Sequence, residues 1–219
     1  MSAEFLHEID ETLRKERMED LWKRYRFVLF GALIALFGGL AAYEWYQAHT
    51  AEQRQAAATT YWSAVKATED NTTAEIEKII AATETDHPGY RALADLRLGS
   101  LYIAAGEQDK ALAAYQSVMD DSAANPALRD FATLMAAQLM MTTEREKAEG
   151  MLSTLRTNNS PFMYSAMEFQ AMLAEDTNNK AAALNLYKQL MENETALPAG
   201  IRDRAQLRIA ALEAERNSN

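Results

Sequence analysis

The chain contains no cysteine among its 219 residues. A disulfide framework, a thiolate nucleophile and a cysteine-ligated metal are therefore excluded. Histidine is almost as scarce, and His7, His49 and His87 lie far apart in the sequence. No two of them have the spacing of metal ligands. We therefore expect neither a metal site nor a cofactor.

Catalytic motifs are also missing. The sequence has no HExxH, no GxSxG and no glycine-rich phosphate loop. The acidic pairs Asp120-Asp121 and Glu175-Asp176 fall at predicted helix ends, where solvated charge is the simpler interpretation. We expect no catalytic residue, no enzymatic activity and no small-molecule substrate. The alternative is a hydrolase or lyase with a cryptic site, which would need a convergent polar pocket.

An excess of basic charge is absent too. The net charge is −10, and residues 47–219 carry 16 Lys and Arg against 24 Asp and Glu, without a basic cluster. Nucleic-acid binding requires a surface rich in Lys and Arg. The composition therefore disfavours a nucleic-acid partner.

One long apolar run is present. Residues 27–43, FVLFGALIALFGGLAAY, carry no charge and as a helix would span about 25 Å, close to the ~30 Å bilayer core. Aromatic residues flank the run on both sides, as at membrane interfaces: Trp22, Tyr25, Trp45 and Tyr46. We predict a transmembrane anchor over residues 27–46. A cleaved signal peptide is the alternative, disfavoured by the 26-residue charged lead and a poor cleavage site.

The basic residues predict the orientation of this anchor. Arg54 is the single basic residue in the twenty that follow the run. Because basic residues stay on the cytoplasmic side, we predict that residues 1–26 are cytoplasmic and residues 47–219 exported. Six basic residues precede the run: Arg14, Lys15, Arg17, Lys23, Arg24 and Arg26.

Two features near the anchor suggest contacts. In the anchor, Gly31, Ala35 and Gly39 share one helical face, and small residues allow a second membrane helix to approach closely. Residues 3–26 have mostly helical apolar spacing, with acidic residues first and basic ones later. This tail is either a helix lying on the membrane surface or a docking segment. Its apolar residues are Phe5, Ile9, Leu13, Met18, Leu21 and Trp22.

After residue 47 the sequence predicts helices and no strands. Long helices are expected over residues 48–68 and 198–215, with a shorter one over 74–82. Thr72-x-x-Glu75 and Thr143-x-x-Glu146 have the form of capping boxes. Gly106 is typical of a helix stop. Helix starts are predicted at His87-Pro88, Asn125-Pro126, Ser160-Pro161 and Pro198.

The helices follow a repeat. Leu98, Gly99, Tyr102, Ala111 and Tyr115 have the tetratricopeptide spacing, in which small residues let two helices approach and aromatic residues fill the space between repeats. Two weaker units follow, and the alanines equivalent to Ala111 lie at intervals near the ~34-residue period. A non-repeating helical bundle is the alternative. The remaining positions of the three units are Gly106 and Val118; Met135, Ala136, Leu139, Ala148, Leu152 and Leu155; and Met167, Ala171, Ala174, Ala183, Tyr187 and Leu190.

The anchor, the lead FLHEIDETLRKERMEDLWKRYR and the repeats together resemble the YfgM-like ancillary subunits of the Sec translocon, with the lead similar to the alphaproteobacterial branch. Their repeat domain is likened to that of a cell-division coordinator. The resemblance implies a single-pass protein of the bacterial inner membrane with a periplasmic domain. It also implies two partners: Sec channel subunits and a membrane-anchored periplasmic prolyl isomerase and chaperone.

The expected fold is therefore all-α, a single transmembrane helix followed by a TPR-like α-solenoid. We expect a non-enzymatic scaffold that binds translocating or unfolded clients, or their chaperones, beside the Sec channel. A cell-division or envelope-assembly scaffold is the alternative. The candidate client groove comprises Ile103, Met140, Met141 and Met172, since flexible side chains suit varied apolar ligands. A core role for the methionines is equally open.

Overall fold

A computed structural model describes residues 3–66, 78–82, 84, 87–192 and 197–218, and within these ranges the side chains from Trp22 to Arg216 except that of Lys23. Regular secondary structure in these ranges is entirely helical. The chain divides into two compact units, one ending at Arg54 and the other beginning at Gln55.

The first unit contains the greater part of the helix α1, which runs from Ala3 to Lys66. The predicted helices over 3–26 and from residue 48 onward both belong to α1. Large apolar side chains of residues 27–43 are exposed within this unit. One stretch of the described chain, inside Arg24–Lys66, is long and apolar enough to cross a membrane. The side chains from Phe5 to Leu21 lie outside the described part.

The second unit contains the end of α1, the helical residues 78–82 and seven longer helices among its described residues. The predicted capping box at Thr72 and the start of the helix over 74–82 fall outside the described residues. The longer helices are α2 (Pro88–Ala104), α3 (Gln108–Asp120), α4 (Pro126–Met140), α5 (Arg145–Thr157), α6 (Met163–Asp176), α7 (Lys180–Met191) and α8 (Ala199–Ser218).

The helix stop at Gly106 is confirmed. Gly106 has a φ of +78°, which glycine adopts without steric cost. Its N–H bonds to the Ile103 carbonyl at 3.0 Å, and the Glu107 N–H bonds to the Tyr102 carbonyl at 2.8 Å, so the last carbonyls of α2 are satisfied. The same left-handed turn recurs at Asn159 after α5 and at Asn178 after α6.

The predicted helix starts are confirmed in part. Asn125 caps α4, accepting a hydrogen bond from the Ala127 N–H at 2.8 Å. Ser160 accepts from the Phe162 N–H at 3.2 Å, but Pro161 lies in a turn and α6 starts at Met163. The Ser160 hydroxyl also donates a hydrogen bond to the Asp130 carboxylate of α4 at 2.7 Å. This bond holds the turn against the preceding repeat.

The capping box predicted at Thr143 is wrong. The helix α5 begins at Arg145 with Glu144 as its N-cap, and no side-chain capping bond forms there. The N–H groups of Thr143 and Glu144 both bond to the Met140 carbonyl, at 3.2 and 2.8 Å. Thr143 is therefore held in the turn that closes α4, one residue too early to cap α5.

The helices form successive pairs, as the repeat predicts. Each of α2 to α7 contacts the next helix along the chain. The first helix of each pair also contacts the first helix of the next pair, so that α2 contacts α4, α4 contacts α6, and α6 contacts α8. No contact between the second helices α3, α5 and α7 occurs in the described residues. The four first helices carry a small buried residue at the repeat interval, namely Gly99, Ala136, Ala171 and Ala205. This order of contacts is that of a repeat array rather than a bundle.

The core of the second unit continues from pair to pair. Tyr115 and Val118 of α3 pack with Ala132 and Ala136 of α4, and Leu152 and Leu155 of α5 pack with Ala166 of α6. The helix α8 covers the last pair through Ile201, Ala205 and Leu212, which pack on Tyr187 and Leu190. The helix α8 thus closes the described end of the array, in the position that the first helix of a fourth pair would occupy.

Candidate functional site

The structure separates the four residues of the predicted client groove. Ile103 is 42% exposed and Met172 is 43% exposed, whereas Met140 and Met141 are 4% and 7% exposed. The two buried methionines pack with Ala148 and Leu173, and Phe169 lies against the same cluster. The groove interpretation is therefore wrong for Met140 and Met141, because α6 covers this part of α4. Their role is in the core.

Met172 lies at a cavity of about 420 Å³ between α6 and α8. Phe169 and Met172 of α6 and Tyr187 of α7 provide its apolar surface. Since Phe169 and Met172 stand three residues apart on α6, both present their side chains to the same space. Ile103 lies on α2, two pairs away along the array, and does not line this cavity.

Two ion pairs form the walls of the cavity. Arg204 of α8 holds Glu168 of α6 with both carboxylate oxygens bonded, Nε to Oε1 at 2.6 Å and Nη2 to Oε2 at 2.7 Å. Arg208 pairs with Glu175 in the same way, with Nε to Oε1 at 3.0 Å and a second contact from Nη2. The Glu168 side chain is 7% exposed and the Arg204 side chain 59% exposed, so each arginine covers a carboxylate from the solvent side. Bidentate pairs of this kind fix geometry as well as charge.

A further carboxylate, Asp176, lines the cavity at the end of α6. Burial raises the pKa of Tyr187 to about 12, and the charges of Glu168 and Asp176 add to the shift. Tyr187 is therefore a neutral phenol at physiological pH. The cavity contains three acidic and two basic side chains, and both arginines are engaged by Glu168 and Glu175. Its unbalanced charge is the negative charge of Asp176.

The ion pairs of this site are not among the features predicted from the sequence. The partners are 36 residues apart for Glu168 and Arg204 and 33 for Glu175 and Arg208, close to one repeat. Glu168 and Glu175 share a face of α6, and Arg204 and Arg208 share a face of α8. Acidic residues on the first helix of one pair, with arginines about one repeat later on α8, are the sequence pattern that could have predicted these ion pairs.

His49 and His87 belong to different units of the chain. His49 stacks on Trp45 with ring centroids 5.6 Å apart, and His87 lies against Tyr90 at 5.3 Å, in the other unit. The side chain of His7 lies outside the described part. Within the described residues, no group of three or more His, Cys, Asp or Glu side chains could hold a metal ion.

The predicted membrane-helix interface remains a prediction. Gly31, Ala35 and Gly39 all lie on α1, and a Cβ atom placed on either glycine would meet no atom within 4 Å. The positions are thus open within the described chain. Small size and spacing are what a close helix contact requires.

A family model described as a tetratricopeptide repeat-like domain matches residues 19–168. The chain belongs to this family. The match begins ahead of the apolar run and ends within α6, so the apolar segment and the first two helix pairs of this TPR-like protein lie within one family match. Domains of this family are protein–protein interaction scaffolds, and the fold is all-α. A search of the curated proteins finds no match to the chain.

Proposed function

We propose that this TPR-like protein is a membrane-anchored periplasmic scaffold that binds translocating or unfolded clients, or their chaperones, beside the Sec translocon. In this proposal residues 1–26 are cytoplasmic, residues 27–46 form the anchor, and residues 47–219 form the periplasmic domain. The protein is not an enzyme. It acts through surfaces that the helix pairs present.

The observation that carries the proposal is the unburied apolar stretch of α1, which lies in the same family match as the first two helix pairs. Its apolar window is not buried by the described residues. Exposing seventeen uncharged residues to water is unfavourable by roughly 25 cal/mol per Å² of apolar surface, whereas lipid removes that cost. Six basic residues on one side against Arg54 on the other support the cytoplasmic position of the N-terminus.

The cavity between α6 and α8 is the part of the repeat domain that we assign to client binding. Met172 and Phe169 offer apolar surface beside charged walls, and methionine adapts to side chains of different shape. Ile103 is a second exposed apolar position on a first helix. Both are available to a polypeptide, in contrast to Met140 and Met141.

The YfgM-like resemblance supplies the proposed neighbours, the Sec channel subunits and a membrane-anchored prolyl isomerase and chaperone. We assign the helix contact within the membrane to Gly31, Ala35 and Gly39. Replacing Gly39 with Leu should reduce co-purification with membrane partners, because a large side chain blocks a close backbone approach. The second unit should keep its thermal stability.

Crosslinking of the full-length protein in native membranes, followed by mass spectrometry, tests this proposal. We expect Sec channel subunits among the crosslinked proteins, and fewer of them from the Gly39→Leu variant. Crosslinks to cell-wall synthesis or division proteins without channel subunits would favour an envelope-assembly scaffold instead.

A further inference from the structure

The charge and the apolar surface of the cavity between α6 and α8 restrict what it can bind. Its volume of about 420 Å³ lies in the lower part of the roughly 300–1,000 Å³ found for ligand pockets. That volume suits a few side chains and not a whole helix. The cavity therefore fits part of an extended segment.

The apolar part of the cavity calls for an apolar side chain. Met172 is among the exposed large apolar residues, and Phe169 is half-buried beside it. A ligand that covers both would gain the free energy of removing their surface from water. Tyr187, which is almost fully buried, also lines the cavity.

The charged part disfavours an acidic ligand and favours a basic one. Arg204 and Arg208 are each bound by both oxygens of a glutamate, so their charge is already balanced. Asp176 is exposed, forms no ion pair among the described residues and lines the cavity. The surrounding sequence is acidic as well, with 24 acidic against 16 basic residues after position 46. This charge attracts cationic segments.

We propose that this cavity binds an extended polypeptide segment in which a large apolar residue stands next to a lysine or arginine. The apolar residue contacts Phe169 and Met172, and the basic residue pairs with Asp176. This inference rests on the proposed function, since it specifies which polypeptides the scaffold binds. It adds a selectivity that the repeat fold alone does not provide.

Peptide binding to the full-length protein in nanodiscs tests the inference. Two fluorescent peptides of equal length are compared, one with a central Leu-Lys pair and the other with Leu-Glu, in otherwise uncharged sequences. Fluorescence polarisation gives both dissociation constants at low and at high salt. We expect tighter binding of the Leu-Lys peptide by about two- to fivefold at low salt, the range of an exposed ion pair, and loss of this difference at high salt.

Two variants with matched controls locate the binding. Asp176→Asn should abolish the preference for the Leu-Lys peptide, whereas Asp203→Asn, an exposed carboxylate of α8 outside the cavity, should retain it. Met172→Ser should raise the dissociation constants of both peptides by about fivefold. Leu207→Ser removes a large apolar side chain of α8 that is 71% exposed and lies outside the cavity, and it should leave both dissociation constants unchanged. Circular dichroism confirms that each variant is folded.

Four results would overturn the inference: no binding of either peptide, equal binding of both, tighter binding of the Leu-Glu peptide, or equal losses from Met172→Ser and Leu207→Ser. None of them bears on whether Sec subunits are crosslinked in native membranes. Failure of the inference is therefore distinguishable from failure of the proposed function.

Discussion

Tyr115 of α3 lies directly over Gly99 of α2. A Cβ atom placed on Gly99 would lie 2.5 Å from Cε1 and 2.7 Å from Cζ of the Tyr115 ring. Tyr115 is 2% exposed, so its ring has no free space to move into. This contact explains why the tetratricopeptide spacing has a glycine at position 99 and an aromatic residue at position 115.

Gly99→Ala should therefore destabilise the protein. A gain in helix propensity of up to about 1 kcal/mol is outweighed by overpacking, which costs about 1–3 kcal/mol. Gly150→Ala is the matched control, because Gly150 is an exposed residue of α5 and its added Cβ would meet no atom within 4 Å. Thermal melts followed by circular dichroism should show a lower Tm for Gly99→Ala and a higher Tm for Gly150→Ala. An unchanged or higher Tm for Gly99→Ala would show that α2 and α3 are not in contact there.

The methionines provide a second prediction. Met140→Ser should reduce the free energy of unfolding by about 2–5 kcal/mol, since it removes buried methylene groups and buries a hydroxyl. Met172→Ser should change it by less than about 0.5 kcal/mol, as at other surface positions. Denaturant unfolding monitored by far-UV circular dichroism measures both. Equal losses from the two variants would contradict the different burial of these side chains.

These two cases show how far the sequence predicts the fold. Small and aromatic residues at fixed spacing specify the contact between α2 and α3, because such a contact depends on the size of few side chains. The burial of Met140 and Met141 depends on where Phe169 and Leu173 of the next pair lie, and the spacing does not fix that position. Apolar residues on a first helix fit a covered or an open surface equally well.

The ion pair between Arg204 and Glu168 provides a third prediction. Arg204→Met leaves the buried Glu168 carboxylate without its partner, so we expect a loss of about 1–3 kcal/mol. Adding Glu168→Gln should recover part of this loss, because the unpaired buried charge is then removed. A double-mutant cycle on denaturant unfolding measures the coupling. Additive effects of the two substitutions would show that the residues do not interact.

Asp95 predicts a pH-dependent stability. Burial raises the pKa of this carboxyl on α2, and the hydrogen bond from Ser117 at 2.9 Å and the charge of Arg91 offset part of that effect. Because the pKa is higher in the folded than in the unfolded protein, the charged form is unfavourable above the folded pKa, and this cost disappears as the pH falls. Asp95→Asn should therefore raise the Tm at pH 7, and the difference should shrink as the pH falls toward the ordinary carboxyl pKa of 3.8.

Asp121 is the control of opposite sign. The hydrogen bond from Arg91, at 2.8 Å, lowers the pKa of Asp121, and the backbone N–H of Ala123 adds to the effect. A carboxyl whose pKa is lower in the folded than in the unfolded protein stabilises the fold at pH values above its unfolded pKa. This contribution is lost as the pH falls through the folded pKa. Asp121→Asn should thus lower the Tm at pH 7, with a smaller effect in acid. The same sign for both variants would contradict the assigned environments.

The most direct test of a membrane-anchored scaffold with an exported repeat domain is the location of the end of the chain in a bacterial cell. Alkaline phosphatase, which is active only after export, and a reporter active only in the cytoplasm are each fused after Asn219 in the full-length protein. We predict an active phosphatase fusion that sediments with the membrane, and an inactive cytoplasmic reporter. An active cytoplasmic reporter with an inactive phosphatase, or a phosphatase fusion released from the membrane, would contradict the anchor and the proposed function.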